Sequence, residues 1–446
     1  MKEDIFVNHL SHFKEIASDC IKLAKKNGAE EVEVDVSESL GKGVATRNCK
    51  LESIEQNREK SLTVSVLKNK KKGSASSSDL SPSSIKDTIE KAISICNYTA
   101  SDEFNGLPNA SLFPKKEVEL SLFHPWEIDL SKAEQIAIEC ENTALNYSKK
   151  IKQSEGAAVN SNYSQFIFAN SSGFIGGYGS SVHSLSCSVL AEENNNKERD
   201  YWWSSARDSN DLLSPLQVGE KASHRSLRRL NSRKISSKKV PVIFESNLSS
   251  SLISSFIAAI SGGNLYKKQS FLLDSLNKQI FPTHLNIFDD PFIEKGISSC
   301  YFDAEGVETK KRTIVENGIL KDYFLSNYSA KKLNLLTTGN AGGSHNIIVS
   351  STGQTFDQLV KELNTGLIVT EILGHGTNMV TGDYSRGAAG LWVENGEILY
   401  PVSEITVASN LKDIFKKIVA IGDDFIPNTS KKCGSMLIEE MTIAGA

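Results

Sequence analysis

Apolar positions along this chain repeat with two periods, and the switches between them divide it into elements. Over residues 11–27, Ile16, Cys20 and Leu23 fall on one helical face. Val32, Val34 and Val36 then alternate with acids, and Leu62, Val64 and Val66 alternate with polar residues, the period of half-buried strands. The polar run 68–73 reads as a loop between strands. Ser81 and Pro82 mark a helix start, and Ile85, Ile89, Ala92 and Ile93 supply its apolar stripe. Residues 98–128 lose all periodicity and hold Pro108, Pro114 and Pro125, so they are expected to link two N-terminal subdomains. A helical period returns over about 131–148, and strand-like segments follow at 151–170 and 173–191. The aromatic triplet Tyr201-Trp202-Trp203 precedes a basic helix near 217–232.

The strand KKVPVIFES opens the C-terminal part, with a helix over 247–260 behind it. Beyond about 278, β-structure dominates. Two hairpins share one design, because Val-Glu-Asn-Gly occurs at 315–318 and again at 393–396. Asn-Gly supplies the two positive φ angles of a type I′ turn. The pair predicts one large antiparallel sheet. The fold class is therefore α+β, with N-terminal α/β subdomains and a C-terminal domain of mainly antiparallel β-structure. The expected units are 1–97, 98–234 and 235–446.

Composition narrows the function classes. A net charge of −4 gives no global attraction to nucleic acid or to an anionic membrane. The N-terminus, MKEDIFVNHLSHF, is acidic and lacks an apolar h-region, so a cytoplasmic location without a membrane span is expected. The seven cysteines are scattered and form no C-x-x-C, which suits reduced thiols serving mostly as small core residues. No histidine precedes a glutamate, and neither G-x-S-x-G nor a phosphate-binding G-x-x-x-x-G-K-[ST] occurs. Composition and spacing thus show no catalytic centre.

Two segments carry candidate chemistry. Between 374 and 390 lie five glycines, mixed with His375, Asp383, Tyr384 and Arg386. Ordering glycine is unfavourable by roughly 0.5–1 kcal/mol relative to alanine in regular structure. Either close approach by another chain or tight turning within a sheet offsets that. The four polar side chains are candidate contacts to a substrate or partner, and His375 with Asp383 could form a general-base pair. The second segment, 221–239, holds eight basic residues and no acid. It reads either as a phosphate-binding stripe or, more simply, as a solvated helix face between domains.

The strings KVPVIFES, AAISGGNLY, TGDYSRGAAGLWVENGEILYPVSEIT and CGSMLIEEMTIAG resemble the TldD/PmbA family of zinc metalloproteases, in its TldE/PmbA branch. The resemblance runs over nearly the whole chain. It implies a cytoplasmic heterodimer in which a TldD-like homologous subunit carries zinc on H-E-x-x-x-H plus a later cysteine, and cleaves unfolded peptides such as antitoxins and precursors of modified peptides. In this chain Ser255, Phe256 and Ile260 stand where that motif is expected, and Cys433 could be a remnant of the third ligand. Glu245, the nearest carboxylate, has no histidine beside it for a general-base role. The resemblance therefore implies no catalytic residue and no cofactor in this chain, zinc in the partner, and a structural or substrate-channel role. Two alternatives stand beside it: a binding protein that modulates DNA gyrase, favoured only by 221–239, and an autonomous hydrolase using His375.

Overall fold

The computed structural model describes residues 5–445 of the chain. Its N-terminal half is one six-stranded antiparallel sheet with helices on one face. The strands are β1 (Glu31–Arg47), β2 (Lys50–Lys68), β3 (Lys71–Ser77), β4 (Ile151–Asn170), β5 (Ile175–Glu193) and β6 (Asn196–Ala206), in the order β3-β2-β1-β4-β5-β6. The segments 1–97 and 98–234 share this sheet, because β1 pairs with β4 from Glu33↔Asn170 to Thr46↔Ala157. Helices α1 (Leu10–Lys26) and α2 (Pro82–Tyr98) cover one end, where Phe13, Ile16 and Ile89 meet Val32, Val34, Leu62 and Val64. Helices α3 (Leu130–Asn146) and α4 (Pro215–Leu227) cover the other, over Val159, Leu185 and Val189. The alternation read from the sequence holds: β1 buries Val32, Val34, Val36 and Leu40 on one face.

The C-terminal half holds two further sheets. Strand β7 (Lys238–Phe244) leads into α5 (Ser246–Ala259) and the short α6 (Gly262–Tyr266). Next come β8 (Ile287–Asp290), β9 (Arg312–Glu316), β10 (Ile319–Leu320), α7 (Asn327–Lys332), β11 (Asn346–Val349) and α8 (Phe356–Leu363). The chain ends with β12 (Gly366–Leu373), β13 (Asp383–Glu394), β14 (Glu397–Asn410), α9 (Leu411–Lys416), β15 (Ile418–Ile421), β16 (Lys431–Lys432) and β17 (Met436–Ala444). One sheet runs β14-β13-β12-β7-β17-β15, and β14 also pairs with β17, which closes five strands into a ring. The other runs β10-β9-β8-β11-β16. Between them lies the largest core, with Phe244, Phe256, Phe281 and Phe415 fully buried.

Two expectations need correction. The two Val-Glu-Asn-Gly hairpins do not share a sheet: β9–β10 belongs to the five-stranded one and β13–β14 to the ring. The β-structure is mainly antiparallel as expected, with two parallel pairings, β12 with β7 and β11 with β16. The loop expected at 68–73 shrinks to the two residues Asn69 and Lys70, both at positive φ. The same turn form recurs at Asn48-Cys49 and Asn194-Asn195 as well as at the two Asn-Gly sites. Asparagine visits the left-handed region more readily than most residues, so it starts all five turns. Among the described residues no helix is long and apolar enough to cross a membrane. Five of the seven cysteines are buried.

A cleft between the N-terminal sheet and the C-terminal ring as candidate functional site

Helix α4 starts at a capping box formed by Ser214 and Gln217. It packs Val218, Ala222 and Ser226 onto the N-terminal sheet. Helical spacing then turns Lys221, His224, Arg225 and Arg228 toward the C-terminal half. There they border a cleft of about 760 Å³, whose other walls are Trp202 and Trp203 of β6, Glu245 before α5, Tyr400 of β14 and Phe425.

Ion pairs hold this junction closed. Glu245 accepts from Arg225 Nη1 at 3.0 Å and from Arg228 Nη1 and Nη2 at 2.6 and 2.8 Å. Arg225 also donates to Asp200 at 3.2 Å and to the Thr370 carbonyl at 3.2 Å. Arg229 donates to Glu371 at 2.5 Å. Burial alone raises the pKa of the Glu245 carboxyl, yet the bonds and charges of Arg228 and Arg225 outweigh it and hold it below the usual range. Arg225, Arg228 and Arg229 are thus drawn into ion pairs at the junction, whereas Lys221, Arg233, Lys234 and Lys239 stay exposed. Arg233 stacks on Tyr400 and Lys238 on Trp392, while Lys234 pairs with Glu404 and Lys239 with Glu440. A buried charge needs a partner, and these partners lie far away in sequence. The helix also ends at Leu227 instead of near 232.

Strand β6 is a sheet edge. The two-residue turn Asn194-Asn195 makes Glu193↔Asn196 a hydrogen-bonded pair, and alternate pairs follow it down to Leu185↔Ser204. In this row the Ser226 hydroxyl bridges Ala191 N–H and the Glu198 carbonyl. The main-chain groups of Trp203 and Ser205 consequently point away from β5, at residues that line the cleft. Beside the cleft, sharing Trp203, Ser246, Asn247, Ile426 and Thr429 with it, is a lobe of about 120 Å³ bordered also by Ser250, Ser254, Lys431 and Cys433.

The residues picked from the sequence fall in three places. Phe256 and Ile260 are fully buried, Phe256 against Phe281 at 4.9 Å and Phe415 at 6.0 Å, so both are core. Ser255 donates to the Ser251 carbonyl, and the α5 face turned to Cys433 carries Ser250 and Ser254 instead. Cys433 is buried, which pushes its thiol up to about 12. Among the described residues no three His, Cys, Asp or Glu side chains gather as a metal would require.

The glycine-rich block lies elsewhere, at the β12–β13 connection. His375 is exposed and makes no contact with Asp383, whose carboxylate instead accepts from Thr381 Oγ1 at 2.7 Å and Asn410 Nδ2 at 3.1 Å. The expected His375–Asp383 pair is not formed, because nearer donors occupy the aspartate. Tyr384 is not a surface contact either: it is 2 % exposed, with its ring on Phe244 and its hydroxyl unpartnered. Alternation in β13 sends it inward. Arg386 is half-buried and donates from Nε to the Leu373 carbonyl at 3.4 Å. Much of the glycine content answers to the chain itself. A Cβ at Gly376 would sit 1.6 Å from the Ser385 carbonyl oxygen, and one at Gly390 would sit 2.1 Å from that of Ile368.

Comparison with known proteins places this geometry. The PmbA/TldA metallopeptidase domain models match in chain order: domain 1 over residues 32–96, the central domain over 123–230 and the C-terminal domain over 237–445. The chain is 46% identical over 434 residues to metalloprotease PmbA of Escherichia coli O157:H7, covering 97% of this chain and 96% of that one.

The chain belongs to the PmbA/TldD family.

A PmbA homologue of Haemophilus influenzae is 43% identical, with the same two coverages. Among solved structures, a proposed modulator of DNA gyrase from Bacteroides thetaiotaomicron superposes with a TM-score of 0.92 at 30% identity, covering 97% of this chain and 99% of that one. TldE from Thermococcus kodakarensis shares the fold at a TM-score of 0.83 and 20% identity, covering 96% and 100%. As a PmbA/TldE-type member of a metalloprotease family, the chain directs interest to what its cleft and lobe can bind. The residues that border the cleft were mostly not legible in advance. Only the aromatic triplet and the basic run signalled it, and nothing in the sequence said that they meet.

Proposed function

We propose that this chain is the TldE-type subunit of a cytoplasmic, two-subunit zinc peptidase, without a metal site of its own. The observation that carries this reading is the donor set at the lobe. Zinc takes thiolate, imidazole or carboxylate ligands. The lobe offers serine hydroxyls, an asparagine amide, a lysine and one thiol whose raised pKa keeps it protonated. These residues do not fit zinc. The metal and the bond cleavage then belong to a TldD-like homologous partner, and this chain helps hold unfolded peptides such as antitoxins and precursors of modified peptides. The outward main-chain groups of Trp203 and Ser205 support that role, because an extended peptide can add to a free strand edge with little regard to its sequence.

The gyrase-modulator reading depends on free basic residues at 221–239. Seven of the eight, all but Lys221, carry a carboxylate or ring partner described above, and Lys221 lies over Trp202. Little charge is left for phosphates.

Co-purification at native expression tests the proposal, followed by metal analysis and a peptidase assay. The chain alone should be metal-free and inactive, and the complex should contain zinc and cut unstructured peptides. About one zinc per isolated chain, lost in Cys433→Ala, would overturn the non-metal role. Recovery of the homodimer alone would overturn the pairing.

A further inference from the structure

We infer that Lys221 receives the terminal carboxylate of a peptide lying along the β6 edge, which makes the cleft a receptor for free peptide C-termini. The inference deepens the proposed function and rests on its peptide-holding role.

The first observation is which charges in the cleft are already engaged. Arg225 and Arg228 share Glu245, Asp211 pairs with Lys295 at 3.0 Å, and Asp424 accepts from the Ser435 N–H and hydroxyl at 2.7 and 2.6 Å. Among the described residues Lys221 has no carboxylate within 4.0 Å, and it lies over the Trp202 ring at 5.3 Å. Its pKa is lowered, chiefly by partial burial and by Arg228 and Arg225, against the opposing charges of Glu245 and Asp424. His224, one turn along, makes no hydrogen bond among the described residues and has its pKa lowered by partial burial and by Arg228 and Lys221. A neutral imidazole there has one N–H to donate.

The second observation is where the β6 edge stops. The free main-chain groups at Trp203 and Ser205 can pair with an extended strand. At Tyr201 the outward N–H is already taken by the Asp200 carboxylate at 2.8 Å, so the row of free donors stops there. A peptide paired along 203–205 and running toward 201 therefore finds the Tyr201 donor engaged and ends its pairing there. The end that meets an unpaired ammonium is the carboxylate, because the amino terminus carries the same charge as Lys221.

The third observation is apolar. Ile398, Leu399 and Phe425 are 47%, 50% and 38% exposed, and all three border this one cleft. Clustered exposed apolar side chains mark binding surfaces. They match a ligand with an apolar body and a charged end.

The test uses the purified full chain and three forms of the tetrapeptide Val-Thr-Val-Phe: the free acid, the C-terminal amide, and an amide with glutamate in place of phenylalanine. Binding is read from tryptophan fluorescence and calorimetry. The free acid should bind about tenfold or more tighter than its amide, a difference of one decade in Kd. The preference should vanish in Lys221→Gln and persist in Lys221→Arg. Equal binding of acid and amide, no binding of any form, or an unchanged preference in Lys221→Gln would overturn the inference. So would the glutamyl amide matching the free acid, because the site would then read side-chain carboxylates. The two proposals fail separately. A complex that assembles and cuts peptides while the chain shows no acid preference removes only this inference. An acid preference in a chain that never assembles removes only the proposed pairing.

Discussion

Glu245→Gln should be among the most damaging single substitutions at this junction. The wild-type carboxylate accepts three charge-assisted bonds, one from Arg225 and two from Arg228. Glutamine keeps one acceptor oxygen, loses the charge, and brings an amide that repels guanidinium donors. Arg225 is buffered, because it still holds Asp200 and the Thr370 carbonyl. Among the described residues Arg228 has no other side-chain acceptor, and its Nε is already buried without one. Stranding a buried charge by removing its partner costs about 3–5 kcal/mol. That is a large share of the roughly 5–15 kcal/mol that holds a domain folded. Urea unfolding, followed by tryptophan fluorescence and far-UV circular dichroism, measures it. In an Arg228→Met background the same change should cost roughly 2 kcal/mol less, since the stranded group is gone. Acid supplies a second signature. The folded carboxyl lies below its ordinary value of 4.5, so its contribution is complete above that pH and is lost as pH falls through the lower folded value. Wild type and Glu245→Gln should converge in acid. A single-variant cost under about 1 kcal/mol, or a cycle that is additive within about 0.5 kcal/mol, would show that the junction is solvated and refute this account.

Glu305 behaves in the opposite sense: burial raises its pKa from 4.5 to about 7, despite the bond it accepts from Asn327 N–H. Its contribution is full below 4.5 and lost as pH rises through about 7, so Glu305→Gln should be more stable than wild type at pH 8 and no better at pH 4. Gly390→Ala should destabilise by more than about 2 kcal/mol, because the new Cβ meets a carbonyl oxygen in mid-sheet. Gly374→Ala has open space around its Cβ and should cost only about 1 kcal/mol, the penalty of its positive φ of 72°, in thermal or urea unfolding. Asp383→Ala and Arg386→Ala should leave unfolding within about 0.5 kcal/mol of wild type. If the exposed block contacts substrate or partner, they should lower assembly with the partner or the peptidase activity of the complex, and wild-type behaviour in both assays would make the block structural.

The sequence spoke clearly where structure is local. Periodicity marked α1, α2, β1 and the upper half of β2, and Asn-Gly marked two of the five type I′ turns. The other three carry Cys49, Lys70 and Asn195 at their second position; Cys49 and Lys70 accept positive φ only where flanking strands impose it. That imposition is tertiary and leaves no local trace. The cleft was harder still. Arg229 and Glu371 lie 142 residues apart, and Arg225 reaches a carbonyl 145 residues away, so a stretch with no acid of its own looked solvated. The glycine block misled for a related reason: Gly376 and Gly390 are demanded by neighbouring main chain, while Gly374 has open space around it. Tyr384 shows the limit of reading side chains one at a time, because its place in the strand decides that it faces inward.

Helix α5 and helix α4 meet the same cleft in different states of satisfaction, and that contrast argues for where its binding capacity lies. On α5, Ser254 donates to the Ser250 carbonyl at 2.8 Å, Ser255 to Ser251, and Ser251 to Leu248. Such back-bonded hydroxyls need nothing further. An imidazole or carboxylate at those places would need a counter-charge or a metal, and the lobe would be unstable without it. The lobe can therefore stay as it is with no ligand at all. On α4 the position is reversed. The guanidinium groups of Arg225 and Arg228 are held by carboxylates within the chain, yet among the described residues Lys221 has no carboxylate partner and His224 no hydrogen bond, beside an aromatic wall and a free strand edge. Unused donors next to exposed apolar surface are what a ligand completes. If the lobe were the working site, changes at Ser250 or Ser254 would disturb peptide binding more than changes at Lys221. The satisfaction pattern requires the reverse order, and a peptide titration of Ser254→Ala beside Lys221→Gln decides between them.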